Sequence, residues 1–380
     1  MEFPGFDTTT ESNLSDPSVT ILKAFRPRKV RIGEHILTTT PAFDAYWYFA
    51  TARQDIFHAR VSRSNIVSNR LEDEILRDYR FTNAYRASDR VSQYLIREVI
   101  GSSDQSWSIE NLFFRTMLFK IFNKIDTWEA LESEFGDLVV ERFDVVAFDR
   151  LLSDRQDAEI RNYSAAYIMP SAGGVFGHRR KHSNHLALLQ WMMEKRFPEQ
   201  LSQMETMSDG YALIRSAPSF GPFLAYQFVT DLNYGSLTAF SEMEFVVAGP
   251  GAHDGISKCF EGTDRVPAES IIAYMAKHQL DYFADLDHDF RDLWGRPLQL
   301  IDCQNLFCEI SKYTRVAFPD IKGISGRSRI KQKYRQNSLE VRTPLYPEKW
   351  GINPRIDASY EDNSLHRREF QDYRSQECLF

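Results

Sequence analysis

The chain has 380 residues, with Lys+Arg 46 against Asp+Glu 53 and a net charge of −7. A hydrophobic content of 43% with 26% charged residues excludes global disorder and allows a sizeable core. No run approaches the roughly 18 apolar residues of a membrane helix, and MEFPGFDTTTESNLSDPS lacks the basic-then-apolar pattern of a signal peptide. A cytoplasmic protein with no membrane partner is expected.

In chain order, residues 1–20 are Ser/Thr/Asp-rich and read as mobile. Thr40 to Ser62 has helical spacing, with Phe43, Tyr46, Trp47, Ala50, Ile56 and Phe57 near one face. A polar connector follows at Ser64–Asn69. LEDEILRDYRFTNAYRASDRVSQYLIREVI predicts two helices broken around Phe81–Asn83, with Ser88 and Asp89 as capping candidates. IENLFFRTMLFKIFNKIDTWEALESEF continues the helical pattern, with a new start at Asp126 or Thr127. VVAFDRLLSDRQDAEIRNY is a weaker helix. The glycine-rich break PSAGGVFGHRRKH precedes the amphipathic NHLALLQWMMEKRF.

Farther on, YALIRSAPSFGPFLAYQF reads as helix, tight turn, helix, and ESIIAYMAKHQLDYF and DCQNLFCEISKYTRVAF are again helical. Strand-type alternation is scarce and no β-α-β rhythm is present, which favours an all-α fold. Three regions are expected: a mobile N-terminal segment with a basic cluster (1–35), a helical region of one or two lobes (36–320), and a basic, irregular extension (321–380).

Cys259, Cys303, Cys308 and Cys378 include no C-x-x-C pair, which argues against a zinc knuckle or a four-cysteine cluster. His178, His182 and His185 have a spacing open to metal, but the intervening Arg179, Arg180 and Lys181 suit phosphate better than a divalent cation. Asp281, Asp285, Asp287, His288 and Asp289 read as a solvated face. Neither a metal nor a cofactor is expected. There is no G-x-x-x-x-G-K-[ST], no G-x-G-x-x-G opening a helix, no H-E-x-x-H and no G-x-S-x-G.

The basic residues gather in three places: Lys23, Arg26, Arg28, Lys29 and Arg31; His178–His182; and Arg327, Arg329, Lys331, Lys333 and Arg335, with Tyr334 interleaved. Each is either a solvated face or a local phosphate surface. Within Ala217–Gly255, the turn Pro218-Ser219-Phe220-Gly221 can present backbone N–H groups at a helix start, a place suited to phosphate. An ordinary helix connection is the alternative. Glu242 and Glu244 then lie between two glycine turns, the second being Gly249-Pro250-Gly251-Ala252. A carboxylate there can stabilise a developing cation or activate water.

PSFGPFLAYQF resembles the helix-hairpin-helix of endonuclease-III-like DNA glycosylases, P-G-x-G-x-x-x-A, at Pro218, Gly221 and Ala225, with Ser219 in place of the first hairpin glycine. The resemblance implies a helix-hairpin-helix DNA glycosylase-like fold and a phosphate site at Ser219, Phe220 and Gly221. The family's catalytic Asp falls in the region of Ser241 and Glu242, so Glu242 is the nearest carboxylate and Glu244 the reserve. The lyase Lys of bifunctional members would fall near Phe223, which implies a monofunctional reaction.

A longer resemblance covers most of Tyr46–Arg315. DEILRDYRFTNAYRASDRVSQYL, LFFRTMLFKIFNK, FSEMEFVVAGPGAHDGISKCF and CQNLFCEISKY are similar to the glycosylase-like helical family of thymine-hypermodification systems. That family includes the helical domain of 5-hydroxymethyluracil DNA kinases and the α-glutamyl/putrescinyl thymine pyrophosphorylases. The kinase P-loop of some relatives is missing from this sequence.

The resemblance implies a partner, double-stranded DNA containing modified pyrimidines, and a flipped base. The expected base pocket holds Asn83, Arg86, Asp89, Phe223, Tyr226, Phe240, Gly249 and Gly251, with Phe220 among its aromatics. Arg179, Arg180, Lys181, Lys312 and Arg315 would meet DNA phosphate. The expected activity is excision of a bulky modified pyrimidine, such as glucosylated 5-hydroxymethylcytosine or hypermodified thymine, in phage defence. In-place modification of an activated 5-hydroxymethyluracil and a non-catalytic reader are the alternatives.

Overall fold

A computed structural model describes residues 16–62, 73–101, 107–335 and 342–356. The first fifteen residues, the connector Ser64–Asn69, Cys378 and the end of the C-terminal extension lie outside the described residues. Among the described residues the chain is mostly helical, and no helix is long and apolar enough to cross a membrane.

Two helices explain most of the packing. Helix α2 (Pro41–Val61) starts at Thr40, whose side chain accepts from the Ala42 N–H, with Pro41 in the first turn. Helix α5 (Ile109–Phe122) is capped by Ser108 and ends on Asn123 in the left-handed region. Both are buried nearly all round, so their pattern reads as continuous core rather than as one apolar stripe.

Around α2 gather α13 (Pro250–Cys259), α14 (Ala268–Lys277), α15 (Gln279–Asp285) and α16 (Leu300–Ala317). Rings fill the joints: Phe43 meets Phe260 and Tyr282 edge-on, and Trp47 stacks on Tyr282. Helices α13 and α16 touch at Gly255, where an added Cβ would lie 2.0 Å from the Phe307 carbonyl oxygen. Around α5 gather α7 (Val145–Asp157), α9 (Lys181–Glu194), α10 (Phe197–Ser202), α11 (Met207–Ser216) and α12 (Pro222–Leu232). A segment holding α3 (Glu74–Asp78), α4 (Arg90–Tyr94) and the π-turn Leu95–Ile100 passes between the two groups. One continuous apolar core runs through both.

The structure departs from expectation near the N-terminus. Residues 17–39 form α1 (Pro17–Ala24) and two strands, β1 (Lys29–Ile32) and β2 (His35–Thr39), which pair antiparallel across Gly33 and continue to β3 (Phe260–Glu261). Lys29 and Arg31 alternate with buried Val30, so two of the five residues of the first basic cluster lie on the outer face of a strand. Arg28 leaves that cluster to pair with Asp44 at 2.5 Å.

Candidate functional site

The segment Arg80–Asp89 turns sharply where the helical pattern breaks, and it carries a buried arginine into the seam between the two helix groups. The Arg86 N–H donates to Asp302 Oδ1 on α16. Its guanidinium donates to both carboxylate oxygens of Asp231 on α12, at 2.6 and 2.9 Å, and to Tyr234 Oη and Gln227 Oε1. Lys120 of α5 lies 3.0 Å from the same carboxylate. Burial opposes every charge here, yet the two cations hold Asp231 below the usual carboxylate range. Burial lowers Lys120, whereas Asp231 keeps the Arg86 guanidinium charged. Such a centre fixes geometry, because each partner is bound from a different element.

The network continues toward the N-termini of α12 and α13. Gln227 donates to Gln304 Oε1, and Gln304 donates to Cys308 Sγ. Gly251 packs against Cys308, and Gly249 lies against the Phe223 ring, where an added Cβ would approach to 2.6 Å. Phe223 stacks on Tyr167, with centroids 5.9 Å apart. Tyr167 in turn covers Arg86 and Lys120, 5.9 and 5.0 Å from its ring centre. It adopts φ +51, a left-handed conformation that costs a non-glycine residue and gathers at functional sites.

On the third side stand Asn83 and Asp89. The Asn83 N–H donates to Asp89 Oδ1 at 2.8 Å, and its side-chain amide donates to the Ser88 carbonyl. Arg53 of α2 donates to Asn83 Oδ1 and to the Thr82 carbonyl. Glu309 of α16 accepts from the Thr82 N–H and pairs with Lys312 at 2.7 Å. Asp89 lies deep but stays partly open to solvent. Burial pushes its carboxyl up to about 7, against the pull of the Asn83 N–H, with the nearby Glu309 charge adding to the rise. A carboxyl poised at neutrality can take up or give a proton at working pH. Asp89 precedes α4 but makes no side-chain cap bond, so its carboxyl is not spent as a helix cap.

Contacts link the expected pocket residues in short chains: Asn83 binds Asp89, Arg86 lies under Tyr167, which stacks on Phe223, Phe223 packs on Gly249, and Gly251 packs on Cys308. Tyr226 is buried against Phe245, and Phe240 fills the space over Gly210 of α11. Phe220 packs edge-on against Phe228 in the core. Sequence reasoning missed Asp231, Lys120, Tyr167, Gln304, Cys308, Arg53 and Glu309. Asp231 and Lys120 do carry a signal, each being a charge inside an apolar helical run.

The expected carboxylate pair is split. Glu244 is exposed, whereas Glu242 turns inward, accepting from Trp350 Nε1 at 2.8 Å and pairing with Arg296 at 2.9 Å. Arg296 stacks on Trp350, 3.7 Å from the ring centre. Glu242 is thus held by a clamp that includes the C-terminal strap 342–356. That strap also bonds Gln93 through Leu345 and meets Ser88 at the Tyr346 hydroxyl.

The hairpin joins α11 and α12 through a turn in which Ser219 takes φ +69, the conformation that the missing glycine would adopt freely. Of the other basic candidates, Arg179 is exposed, Arg180 pairs with Asp157, and Lys181 lies 4.4 Å from the Tyr163 ring centre. Lys312 pairs with Glu309 and lies over the Phe81 ring, and Arg315 donates to the Arg329 carbonyl and Ser311 Oγ. His182 meets Ser153 Oγ, and His185 lies between the Tyr163 hydroxyl and the Pro170 carbonyl, where burial depresses it to about 4. Asp281, Asp285, Asp287 and Asp289 are exposed.

No curated protein and no solved structure matches the chain. Residues 40–323 match the family described as "5-hmdU DNA kinase, helical domain", a span that takes in the whole constellation from Arg53 to Lys312. The chain belongs to the 5-hmdU DNA kinase helical-domain family.

Proposed function

We propose that this protein acts on a 5-substituted pyrimidine nucleotide drawn out of modified DNA, and that it hydrolyses the N-glycosyl bond with Asp89 as the proton-transfer group. The observation that carries this reading is a partly open carboxyl, pushed by burial to about 7 and bound by the Asn83 N–H, three residues after Arg86, over which Tyr167 and Phe223 stack. The family description supports DNA bearing 5-hydroxymethyldeoxyuridine or a derivative as the substrate class.

The pocket chemistry fits a flipped pyrimidine. Tyr167 and Phe223 supply aromatic surface, and the Lys312 ammonium, paired with Glu309, supplies a charge for a polar 5-substituent or phosphate. In hydrolysis the ionised Asp89 carboxylate takes a proton from water as the water oxygen bonds to the sugar C1′. The C1′–N1 bond breaks, its electron pair leaves with the base, and the base is then protonated from solvent. An anionic carboxylate beside the sugar also favours the oxocarbenium-like transition state. The buried Arg86–Asp231–Lys120 centre holds the surrounding elements in place, and Asp89 beside it titrates near neutrality. Glu242, fixed by Arg296 and Trp350, is a positioning residue in this scheme.

In-place exchange at the 5-substituent is the second reading, favoured by the family description itself. Incubating the protein with duplexes carrying different 5-substituted pyrimidines separates the two. Free base with an alkali-labile site supports hydrolysis. A mass change on an intact backbone, without free base, moves the assignment to in-place modification. Wild-type rates in Asp89→Asn would remove the proposed mechanism in either case.

A further inference from the structure

The third basic cluster is an ordered ribbon. Between Arg327 and Arg335 every odd position is basic, and Arg327, Arg329, Lys331, Lys333 and Arg335 are all exposed. Ile330 points inward between two of them and is buried. The path is fixed at several points. The Ser325 N–H donates to Asp254 Oδ1, and Arg315 donates to the Arg329 carbonyl. Lys333 pairs antiparallel with Tyr79, flanked by Arg80 N–H to the Gln332 carbonyl and Tyr334 N–H to the Asp78 carbonyl. Arg60 reaches the Tyr334 hydroxyl at 2.5 Å.

We propose that this ribbon is a track for the phosphate backbone of duplex DNA, which leads the strand to the pocket. In an extended chain alternate residues lie about 6.6 Å apart, roughly twice the 3.4 Å axial rise per nucleotide of one DNA strand. The cations are thereby set out as a row along one strand. Their neighbours tie the row to the pocket: Arg80, bonded to the ribbon, lies three residues before Asn83, and Arg315, bonded to Arg329, follows Lys312 by one helical turn. Lys333 lies 3.6 Å from Asp78. Arg327, Arg329 and Lys331 have no ion pair among the described residues. A net charge of −7 overall makes this local row the more distinctive, since bulk attraction to DNA is absent.

The proposal rests on the reading that the pocket receives a nucleotide from DNA, and its test is independent of turnover. Binding of the full chain to an unmodified duplex is measured across a salt series, for wild type, for Arg327→Gln/Arg329→Gln/Lys331→Gln, and for Lys277→Gln at an unrelated exposed position. Each lost phosphate contact lowers the slope of log K against log salt by about 0.9. The triple variant is expected to lose about 2–3 from that slope and on the order of a hundredfold in affinity at 0.1 M salt. Lys277→Gln should match wild type. A triple variant that keeps the wild-type slope and affinity, while folded by circular dichroism, overturns the track. If the slope falls but no modified duplex yields product, the track stands and the hydrolytic reading fails.

Discussion

Asp89→Asn offers a test of the site that needs no substrate. In the folded protein the Asp89 carboxyl titrates near 7, whereas an unperturbed Asp titrates at 3.8. The folded state therefore binds more protons than the unfolded chain between those values, and stability must fall as pH rises through that window. Below about pH 4 the carboxyl is neutral in both states and the penalty vanishes. Above about pH 7 it is ionised in both, and the full cost of holding the charge is present. A gap of about 3 pH units corresponds to up to about 4 kcal/mol.

Asn keeps the acceptor for the Asn83 N–H but cannot ionise, so it removes this pH dependence while preserving the turn. Urea unfolding of both proteins from pH 4 to pH 8 is the assay. The stability difference should grow in favour of Asp89→Asn by up to about 4 kcal/mol across the range and level off above pH 7. Asp302, which burial raises to about 6, contributes a similar slope to both proteins and cancels in the comparison. Parallel curves would refute the claim that Asp89 is poised near neutrality. Activity should show the complementary sign, with the wild-type rate rising through about pH 7 as the carboxylate forms.

Asp231→Asn leaves Arg86 and Lys120 buried without their shared anion, and should cost about 3–5 kcal/mol in urea unfolding, whereas Glu244→Gln on the surface should change stability by less than about 0.5 kcal/mol. Gly249→Ala would push a methyl into Phe223 and unstack it from Tyr167; binding of modified duplex should weaken at least tenfold while unmodified duplex binds as before. Gly255→Ala cannot be absorbed so locally, because the carbonyl of Phe307 blocks it, and a loss of about 2–4 kcal/mol is expected. Ser219→Gly relieves a positive φ and should raise stability by about 0.5–1 kcal/mol, and Ser219→Val should lower it; thermal melts decide both.

Much of this protein is written in short-range pattern. The helices α2, α9, α12 and α16 follow from apolar runs, with caps at Thr40 for α2 and Gln299 for α16, and the break around Phe81–Asn83 is placed by the loss of that pattern. Ser219 stands in a left-handed conformation because the turn demands one, and the residues flanking it announce the turn. Asn83, Arg86 and Asp89 are visible as polar positions at that break. The strand pair at Lys29–Thr39 went unread, because two strands of four and five residues beside a basic cluster give an alternation too short to stand out.

What no local pattern contains is which charges become neighbours. Asp231 lies 145 positions from Arg86, and Glu309 lies 227 from Thr82; only packing brings each pair within hydrogen-bond reach. Glu242 and Glu244 are two residues apart in sequence yet face Trp350 and solvent respectively, because the backbone between them turns. The titration of Asp89 is likewise a tertiary property, set by burial and by Asn83, Glu309, Arg53 and Arg86 together. Sequence alone determined the helices and the residue types that could do chemistry. The tertiary structure decided which carboxyls are raised toward neutrality and which is held ionised, because desolvation and pairing act through space rather than along the chain.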